Sequence, residues 1–198
     1  QVSVTYTNGS LTGSGTETIF INVQDSVTPS LMGSSSSVIA GKTVLTVNLP
    51  SPAMIETDVP FNFSVNATFF GSPNTAYIRS LDISVIGGGS IQITSQSVFS
   101  GGSATFTAVY SNSALTSGSS ATVFIQATDS IDNTITGTSG SLVVGRKGLQ
   151  ISAPTAITSN TTFTVTVTAV LNGVVNPSYN QSLVFSKVGG SGSLNGML

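Results

Sequence analysis

The side chains behind most enzymatic and metal chemistry are absent from this chain. It holds no His and no Cys, so it offers no imidazole base, no thiolate and no His/Cys site for zinc or copper. Seven carboxylates and five cations remain. Glu56 and Asp58 could act as a carboxylate pair of the kind that hydrolyses glycosides, but both fall in a polar loop. Asp129, Asp132 and Asn133 gather the oxygen donors that calcium prefers, but the matching residues 104 earlier keep only Asp25, with Thr28 and Pro29 in the other two places, so a turn explains them better. Lys42 and Lys187 could each join an Asn through an isopeptide bond, a reaction that needs a buried carboxylate beside them. No enzyme, no metal site and no cofactor is expected.

Five Asn-X-Ser/Thr sequons are present, at Asn8, Asn62, Asn66, Asn160 and Asn180, and these are the glycosylation candidates. The chain has 13 Asn and 61 Ser or Thr, which would give about four sequons by chance. On an alternating strand Asn62 and Asn66 share a face with Ser64 and Thr68, away from Phe61, Phe63 and Val65. Sugar carried there would point to solvent. The run Ser34-Ser35-Ser36-Ser37 is the matching candidate for O-linked sugar. Sugar binding, by contrast, needs exposed aromatic platforms. Trp is absent, and a structural role explains the spacing of Tyr6, Tyr77, Tyr110 and Tyr179 better.

Composition narrows the class further. Only 6% of residues are charged and the net charge is −2, against about 25% charged in an ordinary soluble domain. Five scattered cations make no basic stripe, so nucleic acid is not an expected partner. Disorder goes with low hydrophobicity, whereas 39% of this chain is hydrophobic. A membrane helix needs about 20 consecutive apolar residues, and the apolar runs here, such as Ala169-Val170-Leu171, are far shorter. No membrane span is expected. The first residues, Gln1-Val2-Ser3-Val4-Thr5-Tyr6, show no signal-peptide pattern and already read as a strand. A mature or internal piece of something larger is the expectation.

Strands are what must position these residues. Residues 18–23, 61–67, 121–127 and 163–169 alternate between apolar and hydroxyl or amide side chains, the period of a half-buried strand. Turn signals separate them at Pro50-Ser51-Pro52, Gly71-Ser72-Pro73-Asn74, Gly87-Gly88-Gly89, Gly101-Gly102 and Gly189-Gly190. Nothing shows helical spacing. The fold class expected is all-β, a sandwich or barrel of short strands. Phe61, Phe63, Val65, Phe124 and Ile125 are the expected core anchors.

The chain also resembles itself. Shifted by 104 residues, Tyr6 meets Tyr110, Asn8 meets Asn112, Leu11-Thr12 meets Leu115-Thr116, Phe20-Ile21 meets Phe124-Ile125 and Asp25-Ser26 meets Asp129-Ser130. After a two-residue deletion the match continues at a shift of 102, from Phe61, Val65 and Tyr77 to Phe163, Val167 and Tyr179. In the frame this suggests, 1–37 hold the last strands of one unit. Residues 38–141 form a complete unit, and 142–198 hold the first strands of the next. Half a sandwich would leave its core face and strand edges open to water. Either the chain is a window in a long tandem array, or each molecule donates terminal strands to a neighbour. Head-to-tail contacts of that kind do not close, so both readings predict a linear object.

The segment Ala127–Ser139, running into Leu142-Val143-Val144, resembles the closing strands of tandem bacterial-type immunoglobulin-like repeats found in surface adhesins and invasin-like stalks. Residues 61–67 look like the second strand of such a unit and 81–85 like its third. The resemblance implies Ig-like sandwiches in series, exported to a cell surface or an extracellular filament, and it brings no catalytic residue. The expected role is therefore a structural building block of a linear homopolymer or tandem array, with glycans as candidate attachments. The alternative is a soluble Ig-like adhesin or carbohydrate-binding module.

Overall fold

The computed structural model describes residues 1–11 and 15–194, and every regular element among them is a strand or bridge. Thr12, matched above to Thr116, and residues 195–198 at the end of the last expected unit lie outside the described residues. In chain order the first four strands are β1 (Thr16–Ile19), β2 (Asn22–Gln24), β3 (Met32–Ser34) and β4 (Val38–Gly41). Then come β5 (Val44–Asn48), β6 (Met54–Glu56), β7 (Pro60–Phe69), β8 (Ser72–Pro73) and β9 (Leu81–Ile86). β10 (Ser90–Gln96), β11 (Ser103–Ser111), β12 (Ser120–Asp129), β13 (Thr136–Thr138) and β14 (Leu142–Gly145) follow. The last three are β15 (Gly148–Ser152), β16 (Thr166–Leu171) and β17 (Val174–Val175).

Strands β5 to β14 enclose one core between two sheets. One sheet runs β10-β11-β7-β5, with β8 on β7. In the other, β9 lines one edge of β12, β13 and β14 follow each other along the opposite edge, and β6 joins β14 in parallel. Alternation explains the burial. Phe61, Phe63, Val65 and Ala67 of β7 turn inward while Asn62 and Asn66 face out. Across the ladder Phe106 sits opposite Phe63, and their rings stack at 5.1 Å and 11°. Val123, Ile125, Ala127, Leu142 and Val144 close the core from the facing sheet.

Several expectations need correction. Phe124 is 37% exposed whereas Ile125 is 1% exposed, so Phe124 is not a core anchor. Val123-Phe124-Ile125 is an apolar triplet whose parity is ambiguous by itself; pairing puts Val123, Ile125 and Ala127 inside and leaves Phe124 with Thr122 on the outer face. The expected strand over 18–23 is two short pieces, β1 and β2. The expected strand at Gln1–Tyr6 makes no ladder at all, and its side chains are exposed. Finally, Leu142–Gly145 pairs with β12. The strand assigned to the start of a third unit thus completes the middle sandwich, which runs from about Val44 to Gly145. Strand pairing, not a Ser/Gly-rich stretch, sets that edge.

Candidate assembly surface

The residues singled out for chemistry are mostly engaged in holding turns and loop ends. Asp129 is buried, and its Oδ1 accepts the backbone amides of Ile131 and Asp132 at 2.8 and 2.9 Å. Its Oδ2 accepts the Tyr77 hydroxyl at 2.7 Å, and Arg79 lies 3.5 Å away. Burial opposes ionisation of Asp129. The Asp132 amide, the Tyr77 hydroxyl and the Ile131 amide outweigh it and hold the carboxyl below its ordinary value. Tyr77 is pushed the other way, first by burial and then by the adjacent carboxylate. Asp132 accepts the Thr134 amide at 3.0 Å and Asn133 is exposed, so this acidic cluster is built as a turn. Among the described residues, no three His, Cys, Asp or Glu gather as a metal cluster.

Glu56 and Asp58 face cations rather than each other. Lys147 reaches Glu56 at 3.0 Å, and Arg146 reaches Asp58 at 3.3 Å. The two pairs tie the loop after β6 to the end of β14. Lys42 donates to Thr134 Oγ1 at 2.6 Å, and Lys187 donates to the Gly190 carbonyl. Of the sequon residues, Asn62 and Asn66 lie exposed on β7 and accept hydroxyls of Thr107 and Ser103, each at 2.8 Å. Asn8 donates to Glu17 at 2.6 Å. Asn160 has a positive φ of 61° in an exposed turn, and Asn180 is also exposed. In the run Ser34–Ser37, the Ser35 hydroxyl is taken by the Ile21 amide at 2.9 Å.

Outside the middle sandwich the same local structure recurs with less cover. β1 pairs β4 as β12 pairs β14, every partner displaced by 104 residues, and β2 pairs β3 as β12 pairs β13. β15 pairs β16 as β5 pairs β7. Turns recur too: Asp25 Oδ1 accepts the amides of Val27 and Thr28 at 2.9 and 2.6 Å, as Asp129 does in its own turn. Burial recurs only in part: Phe163, Val165, Val167 and Ala169 are half-buried where Phe61, Phe63, Val65 and Ala67 are buried. Tyr6 is 45% exposed where Tyr110 is 1%, and Leu149 is 43% exposed where Leu45 is 4%. Val23, Leu31, Val38 and Ile151 are likewise exposed at the positions of buried Ala127, Ile135, Leu142 and Val47.

Both flanks touch the middle sandwich. A cleft of about 830 Å³ lies between Tyr6, Asn8 and Leu11 on one side and Phe69, Asn74 and Thr134 on the other. The Phe70 ring packs on Gly41, where a Cβ would come within 2.8 Å of it. Asn172 stands at the corresponding place against Gly145. Among the described residues, no helix is long and apolar enough to cross a membrane. Pattern alone could not distinguish the exposed apolar residues of the flanks from core. No protein-family model matches this chain, and no curated protein matches it at a significant level.

Proposed function

We propose that this chain is a structural building block of a linear assembly, an extracellular or cell-surface filament or stalk made of Ig-like sandwiches in series. One observation carries the reading: β1–β4 and β15–β16 repeat the registers of the middle sandwich, yet Tyr6, Val23, Leu31, Val38, Leu149 and Ile151 are exposed where their counterparts are core. Exposed apolar faces with unpaired strand edges invite further strands. The strand order supports the Ig-like part. β5-β7-β11-β10 facing β9-β12-β14 follows the A-B-E-D and C-F-G sheets of a constant-type immunoglobulin sandwich. A charge-poor surface of Ser, Thr and Asn suits a presented stalk that can carry glycans on Asn8, Asn62, Asn66, Asn160 or Asn180.

The test is the native material, by denaturing mass before and after deglycosylation and by electron microscopy. Filaments are expected. A chain far above 20.0 kDa after deglycosylation means a tandem array, and one near that mass means shared strands. A discrete monomer that saturates with a sugar ligand would overturn the structural reading in favour of a binding module.

A further inference from the structure

We propose that two copies of this chain build a second sandwich between them, residues 1–41 of one copy closing on 148–194 of the next in the register of the middle sandwich. This joint deepens the linear-assembly reading and rests on it. The middle sandwich is the template. Its β11 to β14 correspond, 104 residues earlier, to 1–41; its β5 corresponds 104 residues later, and its β7 to β10 102 residues later, to the carboxyl-terminal flank.

Each stretch left without a ladder in one flank then meets its partner in the other. Residues 1–7 stand in the place of β11, which lies between β7 and β10. The counterparts of β7 and of the start of β10 fall at 162–171 and 192–194. Residues 183–188 stand in the place of β9, which pairs with β12. The matching part of β12 falls at 20–25, where Phe20 and Val23 are exposed. Addition of strands in this way satisfies backbone groups and covers apolar side chains together. The contact is head-to-tail, so it leaves one flank of each kind open at the ends and does not close.

Three details make the register specific. Gly137 packs so tightly on β5 that a Cβ would collide with the Leu45 carbonyl, whereas a Cβ on its counterpart Gly33 meets nothing within 4 Å. Leu149, the counterpart of Leu45, is the residue that would fill that space. Tyr77 donates to buried Asp129; Asp25 already holds the equivalent turn, and Tyr179 is the counterpart of Tyr77. Thr107 donates to Asn62 across neighbouring strands at 2.8 Å, and their counterparts are Ser3 and Thr164. The match is one of pattern. Lys187 replaces half-buried Val85, where its stem would cover apolar surface and its ammonium would reach water.

The chain has no Cys, so any disulfide reports an engineered pair alone. Directly paired antiparallel residues have Cα atoms about 4.5–5.5 Å apart, within disulfide reach. Full-length Ser3→Cys/Thr164→Cys, once oxidised, is expected to run as a ladder of covalent multimers that collapses on reduction. Ser3→Cys/Thr166→Cys, displaced by two residues on the same face, is expected to cross-link about tenfold less. Adding Gly33→Val to the first pair is expected to abolish the ladder without moving the melting of the middle sandwich, because Val suits an extended strand and meets nothing in the single chain. Assemblies that cross-link equally in both registers, or survive Gly33→Val, overturn this joint and leave linear assembly standing. A disulfide closed within one chain overturns the second copy as partner. A chain that stays monomeric at every concentration overturns both the joint and assembly through shared strands.

Discussion

Asp129 shows what one buried carboxylate does in a chain so poor in charge. It joins the Asp129–Asp132 turn to Tyr77, and its carboxyl is held below the ordinary value. A depressed acid favours the fold above its unfolded pKa, about 3.9 for Asp, and that contribution is lost as pH falls through the lower folded value. Unfolding in urea from pH 6 to pH 2 should therefore show stability falling below about pH 4, with a shallower acid limb in Asp129→Asn. The core gives a second contrast. Phe63 is buried and stacked on Phe106, so Phe63→Ala should cost about 3–5 kcal/mol. Phe124→Ala, on the outer face, should cost about 1 kcal/mol or less. Equal losses for the two in equilibrium melts would return Phe124 to the core. Phe63 was legible from clean alternation. Phe124 was not, because parity in an apolar triplet is decided by the partner strand.

Among the elements, β13 fits closely against β5. Its Gly137 leaves no room for a Cβ against the Leu45 carbonyl. Gly137→Ala should separate β13 from β5 and destabilise the sandwich by about 1–3 kcal/mol, while Gly33→Ala should leave the melt of a dispersed chain unchanged. A harmless Gly137→Ala would mean that the two sheets tolerate a wider gap. Hydrogen exchange should rank the strands in the same way. Amides of β7, β11 and β12, each inside a sheet with a buried face, should exchange slowest. Residues 1–7 and 183–188 should exchange at once unless chains are assembled. Both stretches carry strand sequence, and a strand sequence without a neighbour has no ladder to enter. The acidic cluster was read as a turn because the matching stretch keeps only Asp25, with Thr28 and Pro29 in place of Asp132 and Asn133, but the Tyr77 hydroxyl reaching Asp129 from 52 residues away was invisible, being a long-range contact.

At the scale of the whole molecule, one closed sandwich is flanked in sequence by strands whose apolar residues are partly exposed. Assembly should therefore depend on concentration, and light scattering on dispersed chains should show growth without a fixed end point. A single sharp dimer would point to a closed, symmetric contact instead. Sequence by itself determined the all-β class, because period-2 alternation with Gly and Pro punctuation is a local property of the chain. It also determined the 104-residue self-similarity and, through the missing His and Cys, what chemistry is out of reach. Only the tertiary structure decided where the middle unit ends, which face of β12 is core and which apolar residues lack cover. Burial and pairing depend on what lies across the sheet. Tyr6 and Tyr110, or Leu149 and Leu45, are equivalent in sequence, and only the strands packed against them make one of each pair core and the other surface.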